Sequence, residues 1–199
     1  MAYISVVTEG SDDEAVARRL CVETGHEVVA AYPKGGKNAL DRDLQGYDNA
    51  ARFTPWFVLR DLDHDEPCAP SLVDRLLPNP SAQMCFRIAV RTVEVWLLAD
   101  RTSLAGFLSV SKAKITHDPE SLDRPKEFMV NLARRSRSSA IRDDVVPAHG
   151  VSSQVGPGYT ARLIEFALRY WDPYRGALHS DSLGRCITAL SGHAEPHAV

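Results

Sequence analysis

The sequence predicts an α/β fold, a mostly parallel sheet flanked by helices and followed by a helical C-terminal part. Three observations carry this. Apolar runs of strand length, YISVVT (3–8), HEVVAAY (26–32), WFVL (56–59) and MCFRIAV (84–90), alternate with helical patterns through residues 1–100. Strands separated by helices pair in parallel. The runs are apolar at successive positions, as in strands buried on both faces. From Arg101 onward, strand-like runs vanish apart from a weak Val145–Val146 pair, and helical spacing takes over.

Taken in order, Tyr3–Thr8 forms the first strand and ends at Glu9-Gly10. Ser11 with Glu14 three residues on reads as a capping box. Ala15, Val16, Leu20 and Val22 then follow helical spacing to Thr24, where Gly25 closes the helix. His26–Tyr32 is the second strand, and residues 33–53 are a glycine turn and a polar helix leading into the third strand around Trp56–Leu59. Ser71–Leu77 reads as a short helix halted by Pro78 and Pro80. Met84–Val90 is the fourth strand, and Thr92–Asp100 a helix packed through Val93, Trp96 and Leu97.

Beyond it, Pro125–Arg137 reads as a helix with Phe128, Val130 and Leu132 as apolar contributors. Gly158–Trp171 presents Leu163, Phe166, Ala167 and Tyr170 on one face. The last helix, within residues 179–190, is capped at Ser180 or Ser182, and the tail Gly192–Val199 reads as frayed. Residues 1–100 form the α/β domain, and residues 101–199 a helical extension packed on it as one unit.

Composition narrows the class. With 199 residues, 44% of them hydrophobic and 25% charged, the chain has no apolar run of membrane-spanning length. MAYISVVTEG shows no basic region followed by an apolar stretch and cleavage site, so no secretory signal is expected. Cys21, Cys68, Cys85 and Cys186 are scattered and form no CxxC, which suits reduced thiols of a cytoplasmic protein better than a disulfide frame or zinc site. A net charge of −3 excludes a wholly basic DNA-coating protein. Residues 1–66 hold 13 acids and 7 bases, whereas residues 67–199 hold 13 acids and 16 bases. An acidic front and a basic back fit a metal site beside a surface that meets an anionic partner.

The chemistry-bearing residues cluster by position. Asp61, Asp63 and Asp65 alternate just past the third strand, and alternate residues of an extended chain point to one side. A divalent cation, Mg²⁺ or Mn²⁺, would relieve their repulsion through hard oxygen ligands. In parallel sheets, ligands bind outside the carboxyl ends of the strands. Glu9 ends the first strand and Glu94 lies one helical turn beyond the fourth, so both share that edge. Each acid also has a plainer role: helix-dipole charge for Glu9, Asp12, Asp13 and Glu14, a polar loop with a helix cap for Asp61, Asp63 and Asp65, and an Arg91 salt bridge for Glu94.

Several bases are candidates for meeting phosphate. Gly35-Gly36-Lys37 lacks the GxxxxGK[ST] spacing of a phosphate loop, yet Lys34 and Lys37 flank a turn on the ligand edge. Residues 101–142 hold nine bases, among them Lys112, Lys114, Arg134, Arg135 and Arg137, against four acids. Such a surface suits a nucleic-acid backbone, and Arg91 beside the fourth strand joins these candidates.

Glu9-Gly10-Ser11-Asp12-Asp13 spells EGxxD directly after a buried strand, and Asp61-Leu62-Asp63 follows a later one. Together, in this order, they resemble the Toprim domain shared by topoisomerases, bacterial primases and OLD-family nucleases. Residues 91–100, RTVEVWLLAD, and the SDSL at 180–183 resemble a set of small stand-alone Toprim-like proteins. The motifs cover the first half of the chain, and the second half matches only in texture.

The resemblance implies a Toprim-like sheet and a Mg²⁺-dependent nuclease, or a related phosphodiester-cleaving enzyme, acting on DNA or RNA. It also implies a possible ATPase partner within a bacterial defence system. Glu9, Asp61 and Asp63 would be catalytic. Glu9, Asp13, Asp61 and Asp63 would bind metal, with Glu94 completing the cluster. No lysine here matches the catalytic lysine of the OLD nucleases, so a non-catalytic regulatory partner stays open. A haloacid-dehalogenase-type phosphatase is a further alternative, with Asp61 as nucleophile. It fits less well, because Asp65 stands where that family has Thr or Ser, and Asp143-Asp144 follows no strand.

Overall fold

The protein is described over residues 2–194 by a computed structural model. Its four strands are β1 (Ala2–Thr8), β2 (His26–Pro33), β3 (Trp56–Asp61) and β4 (Met84–Ala89). They form one all-parallel sheet in the order β2-β1-β3-β4. β1 connects to β2 through α1 (Ser11–Glu23), β2 to β3 through α2 (Lys37–Ala50), and β3 to β4 through α3 (Ala69–Leu76). The chain thus winds outward one way from β1 and the other way from β3. The gap between these two central strands is where an open α/β sheet forms its ligand crevice.

Alternation along each strand divides the core in two. Ile4, Val6, Phe57, Leu59, Cys85 and Ala89 face α1 and the later helices. Val7, Val58, Met84, Phe86 and Ile88 face α2 and α3, represented by Leu40, Leu44, Leu72 and Leu77. Both faces being covered, these strands read as continuous apolar runs.

Past β4 come α4 (Val93–Ala99), α5 (Arg101–Phe107), α6 (Pro125–Ala133), α7 (Ser139–Val145), α8 (Tyr159–Arg169), α9 (Pro173–Ala177) and α10 (Asp181–Ala194). Trp96 and Trp171 are fully buried where α4 meets the segment before α9, and Trp171 Nε1 donates to the Trp96 carbonyl at 3.2 Å. Phe166, Ala167, Leu183, Cys186 and Leu190 join the same core as α1. The C-terminal helices therefore complete the sheet's cover. Among the described residues, no helix is long and apolar enough to cross a membrane.

Several local expectations are corrected. The cap of α1 is Gly10, not Ser11: the Asp13 carboxylate accepts the Gly10 N–H at 2.7 Å, while Glu14 pairs with Arg18 at 2.7 Å. Val145 ends α7 and Val146 follows it, so neither is in a strand. α6 stops at Ala133, leaving Arg134, Arg135 and Arg137 in the turns that follow. Tyr170 is half exposed and packs on Phe107 rather than entering the core. Of the four free cysteines, Cys68 is exposed and the other three are buried. Gly192, His193 and Ala194 remain helical, and residues 195–199 lie outside the described residues.

Candidate functional site

The carboxyl ends of β1 and β3 are stitched together by a side chain. Glu9, the residue after β1, accepts the backbone N–H of Asp61 on its Oε1 at 3.0 Å. Asp61, the last residue of β3, accepts the N–H of Val93 at the start of α4 on its Oδ1, at 3.0 Å. Asp13 reaches the same edge from the first turn of α1. Glu94, only 2% exposed, reaches it from α4. Four strand-end and helix-start positions from three separate stretches of the sequence thus converge at the crevice between β1 and β3.

Electrostatics show how close these acids stand. Asp61 holds its proton well above the usual range because of burial, and then because of Asp13, Glu94, Glu9 and Asp63 around it. Asp13 is pushed up to about 7 by burial and then by Asp12. Burial also raises Glu9, against the opposing Asp61 N–H and Arg60. Asp12, read from sequence only as a helix-dipole charge, lines the cleft and is raised by burial and by Glu94.

Several of these carboxylates are nonetheless engaged by other groups. Glu94 accepts the Tyr159 hydroxyl at 3.2 Å and faces Lys126 Nζ at 3.5 Å. The Arg91 salt bridge considered for Glu94 does not form; Arg91 instead donates to the Asp63 carbonyl at 2.9 Å. Asp63 pairs with Lys37 at 2.9 Å, and Asp65 turns away to Lys37 at 2.8 Å and to Arg60 at 2.6 Å. Among the described residues, no three acid, histidine or cysteine side chains already stand as a ready metal-ligand set.

The cleft above these acids has a volume of about 1100 Å³. Its floor is acidic. Its rim carries Arg91, Arg124, Lys126 and Arg134 together with the exposed acids Asp123 and Glu127, and His64 and residues of the 147–154 segment also line it. Lys126 sits 5.8 Å above the Tyr159 ring, so its cation is held by an aromatic face as well as by Glu94. Gly35 and Gly36 also line the cleft, but their N–H groups are spent on the Glu9 carbonyl at 2.8 and 3.0 Å and are not free to cradle a phosphate.

Not every predicted contact reaches this place. Lys34 is drawn to Asp43 at 2.8 Å and lies over the Tyr47 ring, away from the cleft. Lys112, whose ammonium bonds Thr102, Lys114 in the same 3₁₀ turn, and Arg135 also fall outside the cleft lining. Of these, Lys34 was expected at the ligand edge from its place in the glycine turn, but its ammonium is drawn to Asp43 instead.

Three contributors went unread in sequence. Lys126 and Tyr159 lie in helices whose apolar pattern gives no hint of a carboxylate partner. Arg60 precedes Asp61 inside an apolar strand and is 1% exposed. Its guanidinium binds Asp41 at 3.0 Å and stands 3.7 Å from Glu9. A charged residue within a buried run is a usable signal, since such a group is buried only when paired.

The donors suit a hard divalent cation in type. They are carboxylate oxygens, and the leading influences on Asp61 are burial and other acids. The Thr92 hydroxyl, which lines the same cleft between Arg91 and Val93, is buried without a hydrogen-bond partner. Buried acids that repel one another beside an unpaired oxygen form the kind of environment a cation satisfies. Comparison with protein-family models, curated proteins and solved structures finds no match to this chain.

Proposed function

We propose that this chain is a divalent-metal-dependent phosphodiester hydrolase acting on nucleic acid, a nuclease of Toprim type. One observation carries the reading: Glu9, Asp13, Asp61 and Glu94 converge at the crevice between β1 and β3, beneath a rim of Arg91, Arg124, Lys126 and Arg134. Acids beneath bases form an arrangement that receives a metal and a phosphate together.

Glu9, Asp13, Asp61, Asp63 and Glu94 would hold Mg²⁺ or Mn²⁺, which when bound neutralises charge on phosphoryl oxygens and on the leaving oxygen. The rim bases take the flanking phosphates, positioning the strand without reading its sequence. Glu9 holds its proton above the usual range through burial, which places it for moving a proton at the reacting centre. The Asp61 N–H and Arg60 fix its orientation from behind. The order EGxxD then DLD, each following a strand of the parallel sheet, supports the Toprim reading.

The test is incubation of the purified protein with plasmid, single-stranded DNA and RNA in Mg²⁺ or Mn²⁺. Wild type is expected to cleave at least one of them. Asp61→Asn and Glu9→Gln should lower the rate by a factor on the order of a thousand while the fold persists. Binding without cleavage would favour the non-catalytic partner. Release of phosphate from phosphomonoesters alone would favour the phosphatase.

A further inference from the structure

Asp63 and Asp65 share a single ammonium but are otherwise served unequally. Lys37 Nζ lies 2.9 Å from Asp63 Oδ2 and 2.8 Å from Asp65 Oδ1. Asp65 also receives Arg60 at 2.6 Å, whereas Lys37 is the only side chain bonded to the Asp63 carboxylate among the described residues. The Asp63 backbone is pinned: its N–H donates to the Arg91 carbonyl at 3.0 Å, and its own carbonyl accepts Arg91 at 2.9 Å. With φ at 50° in the left-handed region, which Asp tolerates better than most residues, only the carboxylate is left to swing.

Lys37 is anchored just as firmly at its root. It opens α2 directly after Gly35 and Gly36, whose N–H groups bind the Glu9 carbonyl. The lysine therefore springs from a turn hydrogen-bonded to the backbone of Glu9. Its side chain and that of Asp63 are 34% and 36% exposed, so their separation loses little of what burial would lend the pair.

We infer that Lys37 is a tethered counter-ion of the metal-free site, holding Asp63 aside until a divalent cation takes its place. This rests on the metal-binding reading above. It accounts for why Asp63, on the acidic edge, turns to an ammonium rather than toward Asp61. On loading, Asp63 exchanges one positive charge for a doubly charged ion, while Asp65 keeps Arg60. Lys37 is thus a built-in competitor that relieves part of the repulsion among the acids and weakens metal binding by the same margin.

Calorimetric titration of wild type, Lys37→Met, Lys37→Arg and Asp63→Asn with MnCl₂ tests this without reference to activity. Lys37→Met should bind Mn²⁺ roughly two- to fivefold more tightly, the scale of one exposed ion pair removed from competition. Lys37→Arg, whose planar fork grips two carboxylates, should bind no more tightly than wild type, and Asp63→Asn should bind more weakly. Because Lys37→Met removes a pair from the metal-free fold, a second measurement uses wild type alone. Acylation of the Lys37 amine, followed by peptide mass spectrometry, should speed up when Mn²⁺ is added. Equal or weaker Mn²⁺ binding by Lys37→Met, or unchanged acylation, overturns the inference and leaves the metal site standing. Absence of Mn²⁺ binding in wild type and every variant removes both.

Discussion

Glu9 Oε1 and the backbone N–H of Asp61 lie 3.0 Å apart, joining residues 52 positions apart in sequence. An acid proposed for chemistry is therefore also an acceptor that the sheet edge uses. The two roles separate by substitution. Glu9→Gln keeps an oxygen for the Asp61 N–H and should melt close to wild type. Glu9→Ala leaves that donor unpaired and should lower stability by about 1–3 kcal/mol. Thermal melts of both variants, alongside cleavage assays, check the split: activity should fall in both, stability only in Glu9→Ala.

Proton uptake gives a second expectation. Asp13 rises from an ordinary value of 3.8 to about 7 on folding, through burial and then Asp12. A group raised in the folded state lends stability that is full below its unfolded value and is lost as pH climbs through its folded value. Asp13 should thus favour the metal-free fold at pH 4–5 and cease to do so above about pH 7. Melting wild type and Asp13→Asn between pH 5 and 8 isolates it. The difference between the two should swing in favour of Asp13→Asn as pH rises, and a constant difference would show that Asp13 does not titrate there.

These acids mark how far the sequence could be read. The four strands, their parallel order and the placing of Glu9, Asp61 and Glu94 on one edge were legible, because a strand buried on both faces leaves an unbroken apolar run and ends abruptly in polar residues. Partnerships were not legible. Whether Glu94 meets Arg91 or Lys126 depends on where α6 docks, and nothing within nine residues of α6 encodes that. Lys34 and Lys37 are three residues apart, yet the glycine turn sends one to Asp43 and the other to Asp63. The Ser11 cap failed for a local reason, since Gly10 already holds the cap position and Asp13 stands at the spacing that serves it.

The rim offers a paired contrast. Arg134 lines the cleft and its neighbour Arg135 does not. Reversing charge at Arg134 should weaken nucleic-acid binding and reduce the salt slope by about one. Arg135→Glu should change both far less. Filter binding or fluorescence anisotropy across a salt series would reveal it, and equal effects from the two would mean the cleft is not the binding surface.

Arg60 predicts a cost in stability rather than in chemistry. At 1% exposure it neutralises Asp41 and Asp65 and leans on Glu9. Arg60→Met would fill similar space but leave Asp41 without its cation and take the positive charge from beside Glu9, while Asp65 keeps only Lys37. A loss on the order of 3–5 kcal/mol is expected from breaking such a buried set, measured by chemical denaturation. A loss below about 1 kcal/mol, the scale of a surface pair, would mean water reaches the network.

Tyr159 and Lys126, which hold Glu94, belong to helices made well after the sheet. A ribosome building this chain from its first residue finishes all four strands and Glu9, Asp13, Asp61, Asp63 and Glu94 before either partner exists. A fragment that ends before α6 carries the carboxylates without the cation and hydroxyl that hold Glu94 in place. The order of synthesis thus leaves the centre incomplete until α8 is made, and a product terminated before that helix is left without it.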